Sequence, residues 1–81
     1  MTLYRCDNNR PVRASGEEDA AEIFASREAR RQYGRRAIVA TLNLESRSQD
    51  RRTFIYSAFI GVPQNGGTAG RNVRLYIHAE P

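Results

Sequence analysis

The chain is expected to fold as an α+β domain, an antiparallel sheet of four to five strands with one helix packed on one face, in the order β-β-α-β-β-β. Three observations predict this. One stretch, Ser15 to Gly34 (SGEEDAAEIFASREARRQYG), has helical periodicity with its own start and stop signals. The runs on either side of it alternate with a period of two. At 81 residues there is room for one domain, residues 1–81, and one modest core.

The helix is marked at both ends. Ser15 is a suitable N-cap and Glu18, three residues on, completes a capping box. Glu17, Glu18 and Asp19 place negative charge at the positive end of the helix dipole, and Arg30 and Arg31 place positive charge at the other. Gly34 suits a left-handed terminating residue. Ala21, Ala25, Ala29 and Tyr33 form an i, i+4 row with Phe24 beside it, and this is the face expected to be buried. Arg27, Arg30 and Arg31 fall on the water side. Ile23 lies nearer the arginines, at the margin or as an exposed contact residue.

Before the helix, Leu3 to Asp7 and Pro11 to Ala14 read as two short strands joined at Asn8-Asn9, with Pro11 sending the second to an edge. After it, Arg36 to Leu44 reads as a strand with Ile38, Ala40, Leu42 and Leu44 on one face. Glu45 to Arg52 is a charged hairpin loop. Thr53 to Gly61, TFIYSAFIG, is apolar on both faces and reads as a central strand whose register is not readable from the pattern. Gly61 to Asn72, with four glycines and a proline, reads as a long flexible connection. Asn72 to His78 is the last strand, with Val73, Leu75 and Ile77 on one face and Arg74, Tyr76 and His78 on the other. A lone helix covers one face of such a sheet and leaves the second without an evident cover.

Composition narrows the functional classes. The net charge is +4, and all thirteen basic residues are arginine. A guanidinium pairs with carboxylates and phosphates through two parallel bonds, so an acidic partner is favoured. A GC-rich coding bias equally accounts for the missing lysine. No apolar run has the length of a membrane span, and MTLYRCDNNR lacks the apolar core of a signal peptide. One cysteine, Cys6, excludes an internal disulfide, and a reducing cytoplasm is the expected setting.

The expected contact surface is Arg74, Tyr76 and His78 on the uncovered face, since arginine beside an aromatic ring suits both nucleic-acid stacking and protein anchoring. Arg47, Arg51 and Arg52 in the hairpin loop, Arg71 in the glycine-rich segment, and Arg35 and Arg36 after the helix are expected to add a basic rim at one end of the sheet. For each group the plain alternative is a solvated polar surface. The glycine-rich segment has no Walker pattern and no helix after it, so it is not read as a phosphate loop. One histidine and one cysteine cannot build a structural zinc site, and no cofactor is expected. A nucleophile pair would require Cys6 and His78 to be neighbours. No catalytic set is recognised, and the chain is not expected to be an enzyme.

The layout of LYRCDNNRPVRA, SGEEDAAEIFASREARRQYG, RAIVATLNL, TFIYSAFIG and NVRLYIH resembles that of small phage anti-CRISPR proteins directed at type I systems. The resemblance is one of architecture across the whole chain and transfers no individual residue. It implies inhibition by binding: docking on an RNA-guided surveillance complex in the bacterial cytoplasm to block target DNA. Many such inhibitors are acidic mimics of DNA, whereas this chain is basic, which favours an acidic protein surface or direct contact with nucleic acid. The alternative reading is a small basic nucleic-acid-binding protein. A free sheet face or edge also permits a homodimer as well as a monomer.

Overall fold

A computed structural model describes residues 1–7 and 9–80. The element order is β1 (Thr2–Cys6), β2 (Val12–Ala14), α1 (Glu17–Tyr33), β3 (Ile38–Arg47), β4 (Thr53–Gln64) and β5 (Gly67–Ala79). The five strands form one antiparallel sheet in the order β2-β1-β5-β4-β3, and α1 packs against one face. The α+β architecture is therefore as the sequence predicts. Among the described residues, no helix is long and apolar enough to cross a membrane.

The core lies between α1 and the sheet. From the helix come Ala20, Ala21, Phe24, Ala25 and Ala29; from β4 come Phe54, Tyr56, Ala58 and Ile60; and from β5 come Leu75 and Ile77. Tyr4 and Cys6 of β1 and Val12 and Ala14 of β2 complete it. The alanines bring the helix axis close to the sheet, and Phe24 fills the space that remains. Tyr33 is half-buried at the margin and Ile23 is exposed. No polar or charged side chain is buried among the described residues.

The helix start differs from expectation. Gly16 is the N-cap, in extended conformation, and no side chain caps the first turn. The Ser15 hydroxyl instead donates to the Asp19 carboxylate, one residue outside the capping position. The stop is as expected: Gly34 has φ 85°, and its N–H donates to the Arg30 carbonyl at 2.9 Å. The turn after β1 contains Asp7 at φ 48° and Asn9, whose backbone N–H and side-chain amide both donate to the Cys6 carbonyl. Asn8, predicted as turn chemistry, lies outside the described residues.

Two corrections concern β3 and the glycine-rich segment. The pairing of β3 with β4 shifts register between Val39 and Thr41 and again between Leu44 and Ser46. Each shift is a β-bulge, which reverses the facing of the residues beyond it. Val39, Leu42 and Leu44 consequently share the helix side with Ile60, Ala58 and Tyr56, while Ile38 turns to the opposite side. The run Gly61 to Asn72 is no flexible loop. It is the outer end of a hairpin in which Gln64 pairs with Gly67 across a two-residue turn. Asn65 at φ 40° and Gly66 at φ 82° form that turn, and Asn-Gly is the preferred dipeptide where both central residues need positive φ.

Gly61 and Gly70 face each other across this hairpin. A Cβ on Gly70 would overlap the Ile60 carbonyl oxygen and stand 2.6 Å from the Gly61 Cα. Here glycine permits a close approach of two backbones. At Gly67 the nearest atom would be 3.9 Å away.

Gly70→Ala is therefore expected to destabilise the fold by about 1–3 kcal/mol through overpacking against backbone, while Gly67→Ala stays within about 0.5 kcal/mol of wild type; urea titrations of the two variants check this. Phe24→Ala removes the largest side chain of the helix face and should cost about 3–5 kcal/mol, a large share of the roughly 4–12 kcal/mol expected for a domain of this size.

Candidate functional site

The side of each strand is settled by its neighbours. Directly opposed residues of antiparallel strands point to one face. Phe54, Tyr56, Ala58 and Ile60 lie against the helix, so Thr53, Ile55, Ser57 and Phe59 point away from it. Opposite them on β5 stand His78, Tyr76, Arg74 and Asn72. Opposite them on β3 stand Ser46 beside Ile55, Asn43 beside Ser57 and Thr41 beside Phe59. Arg5 joins the same face next to His78, and Arg13 next to Leu3. No described element covers this surface.

Arg74, Tyr76 and His78 are thus exposed together on the uncovered face, as expected from the sequence, with Tyr76 43% accessible. Sequence reasoning missed their surroundings. Ile55 lies directly beside Tyr76, and Phe59 lies further along β4 on the same face. Both are half-buried with no helix over them. The signal was present: Asn65-Gly66 sets Gln64 against Gly67, and an unshifted ladder from that turn pairs Ile55 with Tyr76.

The charges on this face are largely satisfied from within the chain. The Arg74 guanidinium is paired with the carboxylate of Glu45, Nε and Oε1 2.9 Å apart, and the neighbouring Tyr76 and Glu45 push its pKa up. Glu45 reaches across β4 because it is the extra residue of the second β3 bulge. Arg5 pairs with Glu80. His78 lies 3.4 Å from the Thr53 hydroxyl through Nδ1. Along the face, Ile55 stands beside Tyr76 and Phe59 beside Asn72, with Ser57 and the ion-paired Arg74 between the two pairs.

The expected rim at one end of the sheet does not form. Arg47 ends β3 on the helix side, where it lies 5.8 Å from the Phe54 ring centre and donates to Glu17 at 2.8 Å. Arg51 and Arg52 belong to a turn tied by the Ser48 hydroxyl, which donates to Asp50 and accepts from the Thr53 N–H. Arg51 has φ 59° there. Arg36 is at the opposite end, beside Val62 and Pro63, and Arg35 adjoins it. From the Phe54 pair to the Gly61 pair along β4 is about 23 Å. Arg71 faces the helix side, opposite Ile60, near Glu28. The arginines therefore divide among separate places.

Cys6 and His78 do not meet. Cys6 is fully buried on the helix side, while His78 is exposed on the other. Burial above all, with the Asp7 charge added, pushes the Cys6 thiol up to about 11. A thiol so placed stays protonated at neutral pH and is a poor nucleophile. Among the described residues, no three His, Cys, Asp or Glu side chains gather as a metal cluster would.

Two carboxylates tie α1 to its surroundings. Glu17 accepts from its own backbone N–H and, against a burial cost, from Arg47, so its carboxyl is held below the usual range. At Glu28 burial raises the carboxyl, but bonds from Arg31 and Gln32 and the charges of Arg31 and Arg71 outweigh it and lower it. Groups lowered in the folded state add stability above their ordinary value of 4.5 and lose that contribution as pH falls through the folded value.

Thermal unfolding should therefore shift to lower temperature between about pH 6 and about pH 3, and Arg47→Ala should flatten part of that dependence. Iodoacetamide should label Cys6 only at the rate of global unfolding, and denaturant should restore ordinary thiol reactivity. In comparisons with known proteins, no family model, curated protein or solved structure matches the chain.

Proposed function

We propose that the chain is a non-enzymatic inhibitor that works by binding a large protein or ribonucleoprotein through the uncovered face of its sheet. The observation that carries this reading is the make-up of that face: Tyr76 beside Ile55, Phe59 further along β4, Ser57 and Arg74 interleaved between them, and Arg74 and Arg5 already ion-paired. Aromatic and aliphatic side chains interleaved with arginine on an uncovered face match the composition of protein interfaces. Tyrosine and arginine are frequent anchors in such interfaces. The architectural resemblance to anti-CRISPR proteins supplies the partner, a type I surveillance complex in the cytoplasm of a bacterial host. Docking there would block target DNA by occupying the complex.

Direct binding of nucleic acid receives less support. A backbone-tracking groove needs a continuous line of free cations. Here Arg47 and Arg74 are engaged with Glu17 and Glu45, and the remaining arginines are divided between the two ends and the two faces.

Immobilised protein is expected to retain a purified type I surveillance complex and to reduce its binding of target DNA. Ile55→Arg, which places a charge beside Tyr76 on the face, should weaken retention by about tenfold or more with the fold intact. Failure of every type I complex to bind would remove the proposed partner. A mobility shift of DNA alone, steeply weakened by salt, would replace the reading with nucleic-acid binding.

A further inference from the structure

The hydrogen-bonding parity of β5 exposes a second surface. The Ala79 N–H donates to the Arg52 carbonyl at 2.7 Å, and the Glu80 N–H donates to the Leu3 carbonyl at 2.7 Å. Odd-numbered residues therefore bond towards β4 and even-numbered ones towards β1. The β4–β5 register runs without a shift from Thr53 and His78 to Gln64 and Gly67, so the parity persists to the turn. β1 pairs with β5 only from Ile77 to Ala79. Beyond that point the N–H and C=O groups of Arg74, Asn72 and Gly70 aim out of the sheet. No described strand occupies the lane they face.

A groove of 820 Å³ lies in this lane, lined by Asp7, Asn9, Glu28, Arg31, Arg71 and Arg74 among others. Glu28 is the carboxylate beneath it, clasped by Arg31 and Gln32 and only 14% accessible; Arg31 is 74% accessible. Arg71 has no ion-pair partner among the described residues. Asp7 stands at the foot of the lane, where β1 turns away. Arg31 and Arg74 are ion-paired and Asp7 lies at the foot, so the unpaired cation along the middle of the lane is Arg71, and the backbone groups call for another extended backbone.

We infer that the free edge of β5 at Gly70–Arg74 is a strand-addition site for an extended acidic segment of a protein partner. Strand addition supplies main-chain hydrogen bonds for affinity and side-chain positions for selectivity. A residue of the added strand on the helix side meets Arg71, which has no ion-pair partner among the described residues, and the largely exposed Arg31, so a carboxylate is preferred there. A second copy of this chain is disfavoured as occupant, because GTAGRNVR contains two arginines and no acid. The site is distinct from the uncovered face and stands or falls separately from it.

The test uses a synthetic peptide of alternating Glu and Val, with an alternating Lys and Val peptide as control, read by amide exchange on the full chain. The Glu-Val peptide is expected to slow exchange at Gly70, Asn72 and Arg74 by about tenfold or more. Asn72→Pro removes an outward N–H that the β4 ladder does not use, so the fold should survive while binding drops by at least about tenfold. Arg71→Glu should shift preference towards the Lys-Val peptide. Ile55→Arg, aimed at the other surface, should leave peptide binding unchanged. Absence of protection, equal protection by both peptides, or wild-type binding by folded Asn72→Pro would each overturn the inference. Protection that rises with protein concentration alone would assign the lane to a second copy instead. Should Asn72→Pro lose the dispersed amide spectrum of a folded chain, a Glu-Val peptide N-methylated at alternate residues removes the same bonds from the other side, and its undiminished binding would also overturn it.

Discussion

A single helix of 17 residues has to shield a sheet whose interior strand β4 is apolar on both sides, and it can shield only one. Phe24 and the alanines of α1 settle on Phe54, Tyr56, Ala58 and Ile60, so the alternate set of β4 is left to water. The exposure of Ile55 and Phe59 is a geometric consequence of that choice, because successive side chains of a strand cannot share a face. Length enforces a second consequence. The helix spans about 26 Å, whereas β4 spans about 40 Å, and the outer hairpin extends past its cover to give a molecule 43 Å long. Both candidate surfaces result from a cover that is too narrow in one direction and too short in the other.

Much of this layout could be read from the residues. The helix and its terminating Gly34, the edge position of the strand after Pro11, and the outward set Arg74, Tyr76 and His78 each rest on local rules that tertiary packing respects. Three features were less accessible. The bulges of β3 carry no distinctive residue, and a regular alternation through Ile38, Ala40, Leu42 and Leu44 hides them. Ser15 satisfies the rules for a cap, yet the backbone entering from β2 places Gly16 there instead. The glycine-rich run was misleading because its glycines serve different ends: Gly66 supplies a left-handed turn, while Gly61 and Gly70 allow two strands to approach. Counting glycines suggests looseness; attending to Asn65-Gly66 gives the register of the whole hairpin.

Charge in this small protein is more local than its net value suggests. A surplus of arginine points to an acidic partner, but the structure uses several arginines to fasten its own elements. Arg47 joins the end of β3 to the start of α1, Arg74 holds the β3 bulge through Glu45, and Arg5 secures Glu80 near the end of the sheet. Pairs this exposed contribute little individually to stability. Those of Arg74 and Arg5 fix the orientation of side chains on the open face, and that of Arg47 ties β3 to the helix.

The bulges of β3 also bear on polymerisation. Endless growth of a fibre requires a sheet that accepts a new strand at both of its borders. One border here is β3, whose two irregularities twist its outer rim and break the regular spacing of its unpaired groups. The other is β2, three residues long and preceded by a proline. The free part of β5 is short and is closed at one end by β1. Neither border therefore offers the long, regular edge on which like strands could stack.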